Sequence, residues 1–80
     1  MERFILYGTS ACHLCELAEA MIVEAGQVGV EFELEKVDIS ASDTLFERYG
    51  LVIPVLQHPD GSELRWPFTA GQLDQFLAGP

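Results

Sequence analysis

Hydrophobic positions along the chain follow two periods, and together they predict seven elements in the order βαβαββα. The predicted strands cover residues 3–7, 30–37, 54–57 and 62–66, and the predicted helices cover 12–25, about 40–49 and the segment after 69. In the second strand the alternation slips between Leu34 and Val37, which predicts a bulge. The pattern therefore predicts a mixed α/β fold.

Local signals mark the ends of these elements. Gly8 follows the first strand, and Gly26 and Gly50 stand where helix C-termini are expected. Ser40 with Asp43 loosely matches a capping box, whereas residues 59–61, Pro-Asp-Gly, are typical of a tight turn between two strands. We expect His58, beside this turn, to be exposed.

A second capping box, Thr69 with Gln72, opens the last helix. The element order implies a parallel pair of strands joined through the first helix, followed by an antiparallel hairpin on the same sheet. We therefore expect a four-stranded mixed sheet with helices on both faces. With no linker, repeat or low-complexity tract, residues 1–80 read as a single domain.

The net charge of the chain makes some classes of binding partner unfavourable. The chain has 80 residues, with 13 Asp and Glu against 4 Lys and Arg, for a formal net charge of −9. This charge disfavours nucleic acid and anionic membrane surfaces as partners. No apolar stretch approaches the roughly 20 residues of a membrane helix. The first residues do not resemble a signal peptide, so we expect a cytoplasmic protein, monomeric by default.

The two cysteines, Cys12 and Cys15, are only three residues apart. A disulfide between them would restrict the unfolded chain very little, so a chemical role is favoured over a stapling one. Thiol–disulfide exchange needs a thiolate and a second thiol close enough to resolve the mixed disulfide. A pair on the first turn of a helix, directly after a strand, supplies both.

The sequence assigns different roles to the two thiols. Cys12 lies at the helix N-terminus, where unpaired N–H groups and the helix dipole favour a thiolate. His13 adds to this, while Glu16 and Glu19 oppose it. We expect the dipole and His13 to prevail, which makes Cys12 the nucleophile and Cys15 the resolving thiol.

Two other interpretations of the cysteine pair remain open at this point. It can be a purely structural disulfide, or it can be half of a zinc site. A closed zinc site needs four ligands. The other candidates are His13, which points away within the motif, and His58 in the hairpin, so we predict no metal site.

Beyond the C-x-x-C itself, the chain resembles the thioredoxin superfamily, and most closely its glutaredoxin-like branch. The resemblance is carried by residues 4–7, the Cys-His-Leu-Cys motif at 12–15, and residues 49–56 with Ile53-Pro54-Val55, and it spans essentially the whole chain. It implies a thioredoxin-like fold. It also implies that Pro54 is the cis-proline beside the dithiol and that the Ile53 backbone pairs with the substrate or glutathione as a short added strand. The alternative is that Pro54 merely begins a strand.

Departures from the glutaredoxin pattern concern the binding of glutathione. Thr9 stands where a basic residue is usual, His13 where proline is usual, and residues 65–69 replace the usual Gly-Gly and Asp. Trp66 and Phe68 in that stretch can form an apolar lip at the site or can belong to the core. Glutathione is anionic and the protein is acidic, so glutathione is a doubtful reductant.

The sequence therefore predicts a glutaredoxin-like thiol–disulfide oxidoreductase that needs no cofactor. Its catalytic residues are Cys12 and Cys15, which form the redox disulfide, and its substrate-binding residues are His13, Ile53 and Pro54. Its partners are a disulfide-containing protein or small thiol and an external thiol reductant. Two alternatives stay open, namely a glutathione-assisted iron–sulfur or metal module and a redox-regulated interaction module.

Overall fold

A computed structural model describes residues 2–26 and 32–78 of the chain. The strands are β1 (Glu2–Gly8), β2 (Phe32–Asp38), β3 (Val55–Gln57) and β4 (Glu63–Arg65), and the α-helices are α1 (His13–Gly26), α2 (Asp43–Tyr49) and α3 (Ala70–Ala78). A short 3-10 helix, Ile39–Ala41, precedes α2. This order confirms the predicted βαβαββα arrangement. Residues 30 and 31 of the predicted second strand lie outside the described residues.

The four strands form one mixed sheet in the order β2-β1-β3-β4. β1 pairs in parallel with β2, and β3 pairs antiparallel with both β1 and β4. The predicted bulge in β2 is wrong, because the pairing runs without a break from Glu2 opposite Phe32 to Gly8 opposite Asp38. Glu35 and Lys36 are instead both exposed, which β2 tolerates as an edge strand.

Alternate side chains of β1 build two separate apolar cores. Phe4 and Leu6 belong to a core shared with α1 and α3, whereas Tyr7 belongs to a smaller core shared with α2. The main core also includes Ala18, Ile22, Leu56, Phe68, Leu73 and Leu77. The helices therefore lie on both faces of the sheet, as the sequence predicts.

The smaller core contains two tyrosines, Tyr7 and Tyr49, which contact each other. The rings of Tyr7 and Tyr49 stack with their centroids 4.3 Å apart. The Tyr7 hydroxyl donates to Gln57 Oε1 at 3.1 Å, and the Tyr49 hydroxyl donates to Glu63 Oε2 at 2.6 Å. Burial, followed by the hydrogen bond to Glu63, raises the pKa of Tyr49 to about 12.

The capping residues predicted from the sequence are confirmed for α3 but not for α2. Thr69 and Gln72 cap α3 reciprocally, since each backbone N–H donates to the other side chain, at 2.9 and 3.1 Å. For α2 the predicted cap lies two residues too early, because Ser42 accepts from the Leu45 N–H. Ser40 is instead bonded to Asp38, through both its N–H and its hydroxyl, at the start of the 3-10 helix.

His58 is buried, with 7% of its surface accessible, so the expectation of exposure is wrong. Its ring packs edge to face with the rings of Phe4 and Phe76, at centroid distances of 4.9 and 5.7 Å. Its Nδ1 accepts from the Asp60 N–H at 3.2 Å. The aromatic neighbours come from β1 and α3, which explains why the turn sequence alone does not reveal them.

Candidate functional site: the dithiol at the start of helix α1

Cys12 occupies the capping position directly before α1. Its carbonyl accepts the N–H of Glu16 at 3.2 Å, and its Sγ accepts the N–H of Cys15 at 3.1 Å. The sulfur thus takes the place that a serine or aspartate oxygen fills at many helix N-termini. An N–H group that points at Cys12 Sγ, together with the helix dipole, favours negative charge on that sulfur.

The two sulfurs form a disulfide, with the cysteine Cα atoms 5.2 Å apart. The two sides of the bond differ in accessibility. Cys12 is half-buried, whereas Cys15 is buried with 8% of its surface accessible. Of the two cysteines, Cys12 is therefore the more accessible to groups outside the protein.

The middle residues of the motif face solvent. The His13 side chain is 79% exposed, and its Nδ1 lies 3.6 Å from Glu16 Oε2, a contact that becomes an ion pair when His13 is protonated. Leu14 is 45% exposed. Because the contact that the structure gives His13 is with Glu16, its support of Cys12 stays a prediction.

A cavity of about 350 Å³ lies beside Cys15, between β1, α1 and β2. Its charged lining residues are Glu16, Glu19, Lys36 and Asp38. Lys36 Nζ is 3.0 Å from Glu19 Oε2, so the cation is already paired with one of the carboxylates. Hydrogen bonds from the Ser40 hydroxyl and N–H hold the pKa of Asp38 below its ordinary value. The balance of charge beside Cys15 is therefore negative.

Pro54 is buried, and the Ile53–Pro54 peptide bond is cis. Tyr7 pairs with Val55 in the antiparallel β1–β3 ladder. Continuing that register by one residue sets Pro54 opposite Gly8, the last residue of β1. The β1–β3 pairing thereby brings this proline to the end of the sheet where the disulfide lies.

The backbone of Ile53 is partly engaged already. Its N–H donates to the Tyr49 carbonyl at 3.1 Å, in the turn that follows α2. The carbonyl of Pro54 accepts the N–H of Trp66 at 3.2 Å. A substrate strand that pairs with Ile53 would thus rely on the Ile53 carbonyl unless the bond to Tyr49 opens.

Within residues 65–69, which stand where glutaredoxins usually have Gly-Gly and Asp, the two aromatic side chains pack inward. Phe68 is buried in the main core, and the partly buried Trp66 meets it edge to face at 5.1 Å between ring centroids. Of the two interpretations, the core position fits Phe68, and Trp66 packs against the same core. The peptide bond between Trp66 and Pro67 is also cis.

Gly8 is part of the site, although the sequence marks this glycine only as the end of the first strand. A Cβ atom added to Gly8 would lie 2.8 Å from Cys15 Sγ. No sequence signal distinguishes such a packing glycine from a turn glycine. In the part of the chain that the structure describes, no three His, Cys, Asp or Glu side chains are grouped to hold a metal ion.

Three solved structures are similar to this chain over most or all of its length. Protein XcR50 from X. campestris is 38% identical in its X-ray structure, which superposes with a TM-score of 0.83 over 96% of this chain and 99% of that one. Its solution structure, 40% identical, gives a TM-score of 0.78 over 100% and 97% of the two chains. Protein Ne2328 from Nitrosomonas europaea is 28% identical, with a TM-score of 0.75 over 88% of this chain and 84% of that one.

A comparison with curated proteins finds no match. None of the helices in residues 2–26 and 32–78 has both the length and the hydropathy needed to cross a bilayer. A family model described as a glutaredoxin-like domain (DUF836) matches residues 3–78, which include the disulfide and Pro54. This match, with the fold and the paired cysteines, confirms the resemblance drawn from the sequence: the chain belongs to the glutaredoxin-like domain family.

Proposed function

We propose that this protein is a thiol–disulfide oxidoreductase in which Cys12 is the nucleophile and Cys15 is the resolving thiol. The observation that carries the proposal is the unequal disulfide at the start of α1. Its half-buried sulfur, on Cys12, receives a helix N–H, while its partner Cys15 is buried. That arrangement favours attack by one thiol and retention of the other.

The reaction conserves atoms and electrons. The Cys12 thiolate attacks one sulfur of a substrate disulfide, whose S–S bond breaks as the first substrate thiolate leaves and takes up a proton. Cys15, deprotonated, then attacks Cys12 Sγ and releases the second substrate thiol. Two electrons pass from the protein dithiol to the substrate, and an external thiol reductant restores the dithiol through the reverse exchange.

Substrate contacts are expected around Cys12. We assign to Pro54 a wall of the site and to the Ile53 carbonyl a hydrogen bond from a substrate backbone placed as a short strand. We assign to His13, which is exposed beside Cys12, a contact with the incoming group. The substrate is a protein disulfide or a small disulfide, and the cytoplasm, where external reductants keep thiols reduced, suits the reaction.

The reductant is an external thiol system, and glutathione is disfavoured. The net charge of −9 and the carboxylates around the cavity beside Cys15 repel an anionic tripeptide. A glutathione-assisted iron–sulfur or metal module is the competing function. It would require cysteines from two copies of the chain, since one chain has only two.

The test is a redox titration of the purified protein, with the state of the two cysteines determined by mass after alkylation. We expect a reversible two-electron transition between about −120 and −300 mV. Absence of such a transition would contradict the proposal. Metal content and visible absorbance of anaerobically purified protein would then identify the metal module.

Matched variants separate the two roles. Cys15→Ser is expected to accumulate a mixed disulfide on Cys12, whereas Cys12→Ser should not form one and should reduce substrate no faster than free solution thiols do. If the two variants behave alike, the assignment of nucleophile and resolving thiol is wrong. Gly71→Ala on α3, where a new Cβ comes only within 3.9 Å of Thr69 Oγ1, serves as the folded control.

A further inference from the structure

Gly8 is the last residue of β1 and pairs with Asp38 of β2 in the parallel ladder. Its backbone does not require glycine, since among the described glycines only Gly61 has a positive φ, of 95°. An ordinary strand residue would satisfy the same backbone conformation. The reason for glycine at position 8 must therefore lie in what its missing side chain would touch.

The missing side chain would collide with the resolving cysteine. A Cβ on Gly8 would lie 2.8 Å from Cys15 Sγ and 3.2 Å from Cys15 Cβ. Carbon and sulfur in contact are normally well beyond 3 Å apart, because closer approach is steeply repulsive. Cys15 Sγ thus lies directly against the backbone at the end of β1, in the space that any other residue would fill.

We propose that Gly8 is a positioning residue for the resolving step: its lack of a side chain lets Cys15 Sγ lie against β1, where Cys15 is buried and its sulfur still reaches Cys12. This inference rests on the proposed function. Resolution requires the Cys15 thiolate to attack Cys12 Sγ along the line of the Cys12–substrate bond, which breaks as the internal disulfide forms. Intramolecular reactions of this kind lose rate steeply with small displacements.

Room exists for the displaced sulfur. The cavity of about 350 Å³ is lined by both Gly8 and Cys15, so a methyl group at position 8 can push the Cys15 side chain toward open space. Gly8→Ala should therefore fold, with the Cys15 thiol misplaced rather than lost. Cys12, which precedes α1 and receives its N–H bond from the Cys15 backbone, keeps its own surroundings.

The experiment follows the mixed disulfide through a single turnover. Reduced protein is mixed with 2-hydroxyethyl disulfide, quenched with an alkylating agent and analysed by mass. For Gly8→Ala we expect the mixed disulfide on Cys12 to persist at least ~10-fold longer than in the wild type, because positioning contributes large factors to intramolecular rates. The rate of Cys12 alkylation in the reduced protein should be unchanged, and Gly71→Ala should match the wild type in both measurements.

The equilibrium gives a second readout. Misplacing Cys15 should weaken the internal disulfide relative to mixed disulfides, which lowers the equilibrium constant for ring closure by a similar factor. An unchanged lifetime and an unchanged equilibrium constant in folded Gly8→Ala would overturn the inference. If the wild type itself forms no internal disulfide reversibly, the proposed function fails instead, so the two failures are distinguishable.

A double-variant cycle covers the case in which Gly8→Ala is too unstable to assay. Cys15→Ala removes the sulfur and leaves only the Cβ contact at 3.2 Å, which a shift of a few tenths of an ångström relieves. The cost of Gly8→Ala to thermal stability should therefore be smaller in the Cys15→Ala background. An equal cost in both backgrounds would show that Gly8 serves the strand end and not the sulfur.

Discussion

The sheet has two ends, one at the turn between β3 and β4 and one beside the Cys12–Cys15 disulfide. Glycines and polar atoms have different roles at each. At the hairpin end, Gly61 adopts a φ of 95° and Asp60 Oδ1 accepts both the N–H and the hydroxyl of Ser62, at 2.8 and 2.6 Å. At the dithiol end, Gly8 makes room for the sulfur of Cys15, and Cys12 Sγ accepts a helix N–H.

We infer from this difference that the hairpin end contributes mainly to stability and the dithiol end mainly to the reactivity of the cysteines. The hairpin end is closed by bonds between neighbours in sequence, such as the bond from the His58 N–H to the Ser62 carbonyl, and it stabilises the fold. The dithiol end depends on contacts between elements and leaves a cavity open beside Cys15. We therefore expect substitutions at the hairpin to change the free energy of unfolding, and substitutions around the dithiol to change exchange kinetics.

The largest effect that separates the two ends should come from Gly61→Ala. A side chain in the left-handed region costs about 1–2 kcal/mol, which for a domain of this size lowers Tm by roughly 4–8 °C per kcal/mol. Thermal unfolding measures this loss, with Gly71→Ala as the control. The redox midpoint should not move, and a shifted midpoint would show that the ends are coupled.

Tyr49 connects the two ends, since its ring stacks on Tyr7, the residue before Gly8 at the end of β1, and its hydroxyl donates to Glu63 of the hairpin. Tyr49→Phe removes that hydrogen bond and should cost about 1 kcal/mol at neutral pH. The pKa of Tyr49, about 12 in the folded protein, exceeds the unfolded value of 10.0. The unfolded chain therefore loses this proton first, and stability falls as pH rises between these two values.

Denaturant unfolding across that alkaline range measures the Tyr49 contribution. The fall in stability should be shallower in Tyr49→Phe than in the wild type. Tyr7→Phe is the matched control, because it removes a hydroxyl on the same ring stack without touching Glu63. Identical alkaline profiles for the wild type and Tyr49→Phe would remove Tyr49 as the link between the ends.

At the dithiol end the charge balance predicts a preference among small disulfides. Cystamine, a dication, should be reduced faster than neutral 2-hydroxyethyl disulfide, and anionic glutathione disulfide slowest. Glu16→Gln should shrink the ratio of kcat/KM for cystamine over glutathione disulfide about threefold, since one charge near the cavity contributes up to ~1 kcal/mol in water.

Glu24→Gln is the control for this charge effect. It removes the same unit of charge two helical turns further along α1, about 12 Å from Glu16 and beyond a Debye length at physiological salt. Equal effects of the two substitutions would show that the net charge, and not the charge beside the dithiol, selects the substrate. Added salt should reduce the preference of the wild type.

The smallest effect is expected from His13→Gln. The side chain is exposed and pairs with Glu16, so its influence on Cys12 is screened by solvent. The rate of alkylation of reduced Cys12 at pH 6 should fall by about twofold or less. A much larger fall would mean that His13 turns from Glu16 to Cys12 once the disulfide is reduced.

The sequence predicts the parts of this molecule that short-range signals determine. Period and capping residues locate the elements, and Thr69 with Gln72 caps α3 as expected. The C-x-x-C places the dithiol at a strand–helix junction. The cap of α2 falls two residues from its predicted position because Asp38 binds Ser40 and leaves Ser42 to the helix.

Contacts between distant residues explain what the sequence does not reveal. The burial of His58 depends on Phe4 and Phe76, which lie far from it along the chain. The role of Gly8 depends on how α1 packs against the end of β1, and the same packing determines the cavity beside Cys15. Neither follows from period or composition.

The position of β2 at the edge of the sheet has a consequence for association between copies of the chain. Its outer edge offers unpaired backbone groups to a second copy, but Glu33 and Glu35 project from the strand, with Arg3 of β1 within 3.5 and 3.7 Å of their carboxylates. Two such edges brought together would set the Glu33 and Glu35 carboxylates of one copy beside those of the other. The strand thus discourages the growth of a continuous sheet from one molecule to the next, so copies of the chain should stay separate at high concentration.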